Sequence, residues 1–269
     1  MRAMPSDRYM PTEIIEDPNA SIKHFQNENS GDRDRFGNRL IVSKNLAYLD
    51  RAKEKVKAGI LVSKDGQKFI TENNRILQDV ETGLASLEKN GKIKPNEIID
   101  LGNGRSLQYI KSGGQSNFYI LKIGQNKYAI KTHILGNGVK RTKYQPYINE
   151  MLQTQSLATD LKDKLNSPKI NVRMARFLFA SGQVSCTYYE EEKEHYSALN
   201  AERFIGLMSV VSEYVRLKQK QQDPLWENVH IDLLSQDPEM ILRNFRTQLD
   251  DSVVWVDPFV YLEWNLINI

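Results

Sequence analysis

Two charged residues are the first whose types and spacing could do chemistry together. Lys131 closes the run Tyr128-Ala129-Ile130-Lys131, and Glu150 lies nineteen positions on, in Tyr147-Ile148-Asn149-Glu150-Met151. A strand lysine and a helix glutamate so separated can meet only where the helix packs back across the sheet. The ammonium is then held over a place where phosphate charge can collect. Upstream lies Gly113-Gly114-Gln115; backbone amides in such a turn can approach phosphate oxygens because no side chain stands in the way. Plain readings stand beside these, with Lys131 as a surface lysine at a strand end and Gly113-Gly114 as an ordinary hairpin turn. Further on, Asp223, Glu227, Asp232, Asp237 and Glu239 crowd one segment, either as proton acceptors or as a solvated acidic loop.

Other chemistries are excluded by what the chain lacks. Cys186 is the only cysteine, so neither an intrachain disulfide nor a thiolate metal cage can form. Its flanks, Val184-Ser185-Cys186-Thr187-Tyr188-Tyr189, read as a strand holding a buried, inert thiol. His24, His133, His195 and His230 lack the paired spacing of zinc ligands. A net charge of +3 over 269 residues is too small to imply nucleic acid, which demands basic charge concentrated on one face. With 40% hydrophobic and 26% charged residues, the composition is that of an ordinary globular protein of one or two domains. The start, Met1-Arg2-Ala3-Met4-Pro5, has no apolar core of a signal peptide, and no stretch approaches the roughly 18 apolar residues of a membrane span. The expectation is a cytoplasmic protein, or one exported without a cleavable signal.

The elements that must position the charged residues follow from periodicity. Residues 1–40 are rich in Asp, Asn, Ser, Arg and Pro and read as an irregular or disordered lead-in. Residues 41–95 read as a helical extension. One helix there carries Leu46, Leu49, Ala52 and Val56. A second is capped by Thr71, carries Ile76, Leu77, Val80, Leu84 and Leu87, and ends at Asn90-Gly91. From Ile98 to Ile134 glycine-marked turns separate short alternating runs, which predicts an antiparallel meander. A helix over about 147–165 follows, then strands over 172–180 and 184–189, a helix over about 198–221, and a strand at Val253-Val254-Trp255-Val256. Trp226, Trp255 and Trp264 are expected as packing anchors, and Lys218 and Lys220 as exposed charges at a helix end.

A meander with a glycine turn, then a helix and two strands, resembles the upper lobe of the protein kinase-like superfamily. Gly113-Gly114-Gln115-Ser116-Asn117-Phe118 stands where that family places its phosphate-covering turn, and Tyr128-Ala129-Ile130-Lys131 matches its third-strand Val-Ala-Ile-Lys pattern. The resemblance implies that Lys131 contacts the α- and β-phosphates of ATP and that Glu150 holds Lys131 in position. Val253-Val254-Trp255-Val256-Asp257-Pro258-Phe259 is similar to the strand entering the family's Asp-Phe-Gly. Asn244, thirteen residues earlier, matches the catalytic-loop asparagine. Asn244 and Asp257 would then hold magnesium. Pro258-Phe259 departs from the family pattern in a way also met in small-molecule and lipopolysaccharide kinases. The base stays divided among Asp237, Glu239 and Asp232: counting back from Asn244 gives Glu239 where the family has aspartate, while His230-Ile231-Asp232 looks like the family's His-x-Asp.

The implied fold is α+β and kinase-like, with an antiparallel-sheet upper lobe over 96–190 carrying one helix and a small, mostly helical lower lobe over 191–269. Only twelve residues follow Asp257, so no peptide-binding platform is expected: either the lower lobe is minimal, or the helices between Ser43 and Asn90 fold under the site and replace the missing support. The implied activity is an ATP- and magnesium-dependent phosphotransferase acting on an unidentified small-molecule or protein acceptor. A pseudokinase serving as a binding or regulatory module is the alternative, favoured by Glu239 and the imperfect glycine turn. An unrelated α+β interaction protein is the third reading.

Overall fold

The computed structural model describes residues 15–16, 33–42, 46, 49, 59–89, 94–112, 116–133, 146–191, 199–227, 229–231 and 244–261. The fold is α+β. The described chain partitions into two units, one drawn from 7–148 and 176–189 and the other from 149–175 and 190–269.

The first unit is built on a nine-stranded, mostly antiparallel sheet. Its strands are β1 (Ile15–Glu16), β2 (Arg39–Val42), β3 (Gly59–Val62), β4 (Ile98–Gly102), β5 (Arg105–Ser112), β6 (Ser116–Ile123), β7 (Asn126–His133), β9 (Phe177–Ala180) and β10 (Val184–Tyr188), in the spatial order β1-β2-β3-β9-β10-β7-β6-β5-β4. The meander from β4 to β7 forms as its turn residues dictate. Asn103 and Gly104 at one bend and Gly124 at another adopt positive φ, the left-handed region that glycine and asparagine tolerate. β9 and β10 pair antiparallel as a hairpin, and β10 pairs with β7, so the late hairpin is joined edge-on to the meander.

Segments read as lead-in and extension enlarge this sheet. β2 and β3 pair antiparallel, and β3 continues the sheet through β9. The helix read around residues 43–56 falls outside the described residues except at Leu46 and Leu49, both buried.

Two helices cover one face of the sheet, α1 (Lys64–Glu72) and α2 (Ile76–Lys89). Thr71, expected as a cap, instead lies in the last turn of α1 and donates to the Gln67 carbonyl at 2.9 Å. The N-cap is Ser63, whose hydroxyl accepts from the Gly66 amide at 2.9 Å and donates to the Phe177 carbonyl at 2.7 Å. The break between the helices falls at Arg75, which adopts a φ of 64°. The α2 stripe of Ile76, Leu77, Val80, Leu84 and Leu87 is buried against Leu107, Tyr119, Leu121, Tyr128 and Ile130 of the strands. This corrects the alternative in which these helices support the lower half of the site: their apolar face is spent on the sheet of their own unit.

Gly66 makes the close approach possible. A Cβ there would lie 1.8 Å from the Leu178 carbonyl oxygen, so the start of α1 can rest on β9 only because that position has no side chain.

The second unit combines α3 (Pro146–Asp160, all but its first three residues), α4 (Lys162–Leu165), α5 (Ala201–Lys220) and five short strands: β8 (Val172–Met174), β11 (Val229–Ile231), β12 (Phe245–Thr247), β13 (Val253–Trp255) and β14 (Phe259–Tyr261). The run 172–180, read as one strand, is two. β8 pairs parallel with β13, whereas β9 belongs to the large sheet. Trp226 and Trp255 are fully buried, as expected of anchors, and Trp226 meets Tyr214 edge-on at 5.2 Å; Trp264 lies outside the described residues. Lys218 is not the exposed charge expected: its side chain is 16% exposed, reaches Asp160 at 3.8 Å and sits 5.3 Å from the Tyr214 ring. Among the described residues no helix is long and apolar enough to cross a membrane.

Candidate functional site

The candidate residues fall into two groups, and each unit holds one. In the first unit β7 alternates. Tyr128, Ile130 and Thr132 are buried toward the helices, while Ala129 and Lys131 are half-buried on the other face. Register partners share a face, so Phe118 and Ser185 flank Lys131, and Ile120 and Thr187 flank Ala129. Ile120 is buried yet stands outside the apolar cluster under α2. The lysine therefore rises beside a small platform of Ile120, Ala129 and Thr187. Sequence reasoning passed over this platform, although the unbroken apolar run Phe118-Tyr119-Ile120-Leu121, apolar on both faces of its strand, carries its signal.

Cys186 is buried on β10, and burial pushes its thiol well above the ordinary thiol range. It points away from nucleophilic chemistry, in line with its strand context. Burial likewise raises Tyr128 and Tyr188, which lie 5.9 Å apart. The Arg176 guanidinium over the Tyr188 ring, 4.2 Å from its centroid, acts in the opposite direction.

In the second unit Glu150 lies on α3, whose first helical residue is Pro146, the position that tolerates a missing amide. Glu150 is 5% exposed, a burial that an ionised side chain sustains only with compensating contacts. Asn244 and Asp257 bracket the β12–β13 hairpin. Phe245 opposes Trp255, their rings stacked at 5.3 Å, and the Val256 amide donates to the Asn244 carbonyl at 2.8 Å. Both residues thus sit half-buried at the open end of one hairpin. The opposite end is closed by a rigid turn, in which the Ser252 amide and hydroxyl donate to the Asp250 carboxylate at 3.1 and 2.6 Å. Those hydrogen bonds hold the Asp250 carboxyl below its ordinary value.

β11 pairs antiparallel with β14, Ile231 opposite Phe259. The ladder thereby ties the strand that precedes Asp232 in sequence to the strand that follows Asp257. Gly113, Gly114, Asp232, Asp237 and Glu239 themselves lie outside the described residues. Among the described residues no group of three or more His, Cys, Asp or Glu side chains could hold a metal ion. An amide oxygen and a carboxylate at one hairpin mouth nevertheless suit a hard cation that keeps most of its water, as Mg²⁺ does.

No family model matches the chain, and no curated protein matches it. Among solved structures it is similar to "Structure of the streptomycin-ATP-APH(2")-IIa ternary complex", at 12% identity and a TM-score of 0.25, over 67% of this chain and 70% of that one. Agreement that slight carries no argument about fold or activity, and both rest on the topology and side chains of this chain.

Proposed function

We propose that the protein is a kinase-like phosphotransferase that binds ATP with magnesium and transfers the γ-phosphoryl group to a hydroxyl of an unidentified acceptor. The observation that carries this reading is the β12–β13 hairpin. Its two mouth residues, Asn244 and Asp257, are those expected to hold magnesium, and their proximity arises from antiparallel pairing rather than from neighbourhood in sequence. A magnesium ion bridging the β- and γ-phosphates neutralises charge that develops during transfer. Lys131 supplies the phosphate contact, and Glu150 has the orienting role that the family resemblance implies. The adenine ring is received by the platform of Ile120, Ala129 and Thr187, and by the backbone after β10 near Tyr189 and Glu190.

The pairing of β11 with β14 favours Asp232 over Asp237 and Glu239 as the base. In sequence Asp232 directly follows β11, the strand paired with the segment just beyond Asp257, and a general base has to come within hydrogen-bond reach of the acceptor hydroxyl.

Thermal denaturation with and without ATP and magnesium tests the reading. Wild type is expected to be stabilised, and Lys131→Ala and Asp257→Ala to lose the shift. The absence of any ATP-dependent shift in wild type would overturn the proposal. The pseudokinase reading is favoured by Glu239 standing five residues before Asn244. It predicts the same shift with no ATP consumed across a panel of small-molecule and protein acceptors.

A further inference from the structure

The side chains of Arg173 and Glu190 form a two-pronged ion pair, with Nη1 to Oε1 and Nη2 to Oε2 both at 2.9 Å. The Glu190 side chain is 9% exposed and that of Arg173 38%, so the carboxylate is sheltered while water still reaches the guanidinium, and the two-pronged geometry rather than burial gives the pair its directionality. Arg173 sits in the middle of β8, opposite Val254 of β13. The same sheet is locked again one step on, where the Ala175 amide donates to the Trp255 carbonyl at 3.0 Å. A second tether runs from the far end of the hairpin, where the Gln248 side-chain amide donates to the Glu191 carbonyl at 3.1 Å. Gln248 is itself fixed by the turn it opens, its amide donating to the Ser252 carbonyl at 2.9 Å.

Residues 190–191 are thus bound at two points to the small sheet whose hairpin mouth carries Asn244 and Asp257. Neither tether is needed to close that hairpin, which has its own ladder and turn. An Arg–carboxylate fork fixes orientation as well as distance, which a lysine cannot do.

We propose that Arg173 and Glu190 are a positioning pair. They hold the backbone of residues 190–191 at a set distance from the Asn244–Asp257 mouth of the same unit, so that a base meeting that backbone and phosphates at the mouth are received together. This rests on the nucleotide reading above and adds a determinant to it: the pair selects for a ligand carrying a base, not for its phosphates.

Calorimetric titration with Mg·ATP and with Mg·tripolyphosphate, which lacks base and sugar, separates the possibilities. Wild type is expected to bind ATP more tightly than tripolyphosphate. Arg173→Glu and Glu190→Arg should each weaken ATP at least tenfold, toward the tripolyphosphate value, and leave tripolyphosphate itself unchanged. The exchanged double variant, Arg173→Glu with Glu190→Arg, should return to within about threefold of wild type for ATP. Arg173→Lys, which keeps the charge and loses the fork, should fall between. Single variants that bind ATP as wild type does would overturn the inference. So would an equal loss of both ligands, or a double variant without recovery, since either marks the pair as general scaffold. Wild type that binds neither ligand would fell the nucleotide reading itself, and the inference with it.

Discussion

Asn244 accepts a hydrogen bond at its carbonyl from the amide of Val256, 2.8 Å away, and Asp257 is the next residue along. Thirteen positions of sequence separation are closed by three residue pairs of β-ladder, Phe245 with Trp255, Arg246 with Val254 and Thr247 with Val253. If that mouth holds magnesium, Asp257→Asn should lower phosphoryl transfer at least a hundredfold, the equivalent of about 3 kcal/mol of barrier. The melting temperature should stay near wild type, because Asp257 is half-buried and ends the ladder rather than building it. Steady-state kinetics over a magnesium titration reads this directly, and a variant with unchanged turnover would remove Asp257 from the site.

Gly66 offers a test of the packing that carries Lys131. Its missing Cβ lets the start of α1 lie on the Leu178 carbonyl. Gly66→Ala should cost on the order of 2 kcal/mol or more, since the obstacle is backbone and cannot rotate away. Urea denaturation is the measurement. A variant as stable as wild type would show that α1 can stand off from β9.

Leu84 examines the same layer from the other helix. It is fully buried in α2 against the sheet, and Leu84→Ala should cost about 3 kcal/mol through lost burial and the cavity left behind. Removal of residues 1–92 should be more damaging, uncovering the apolar face of β5, β6 and β7. An unaltered melting temperature after that deletion would contradict the helix-on-sheet packing.

Alkaline stability follows from Cys186. Its folded thiol is raised above its ordinary value of 9.0 by burial. Its contribution is therefore complete below about pH 9 and is lost as pH rises further, when the unfolded chain sheds a proton that the folded chain keeps. The loss is about 1.4 kcal/mol per pH unit. Tyr128 and Tyr188, also raised by burial from 10.0, steepen the fall above about pH 10. Melting temperatures from pH 8 to 10.5 should decline more gently for Cys186→Ala than for wild type, and identical slopes would refute the assignment.

How much of this was legible in advance depends on the range of the interaction. The meander could be read because its determinants are local: the glycine and asparagine turns at 102–104 and 124–126, and the alternation between them, specify strands and bends together. The α2 stripe was legible for the same reason. β2 and β3 were not, being four residues each and recognisable only by the partners they find across the sheet. The division of 172–180 was hidden too, because only Ala175-Arg176, with no glycine or proline, separates Val172–Met174 from Phe177–Ala180, and only their hydrogen-bond partners tell them apart. Thr71 illustrates a local rule overridden: a capping residue type at a plausible boundary lost to Ser63, which gains a carbonyl partner 114 residues away.

The sequence by itself determined which side chains were available for chemistry, the strand and helix bearing Lys131 and Glu150, and the absence of thiolate metal chemistry. Composition and spacing carry that much because they are properties of the chain. Only the tertiary structure decided that α1 and α2 serve the sheet, that Lys131 stands beside Ile120, Ala129 and Thr187, and that Arg173 grips Glu190. Each of those depends on nonlocal pairing. The physical reason is that burial and register are settled between segments far apart in sequence, where the free energy of a contact depends on a partner that local patterning does not name.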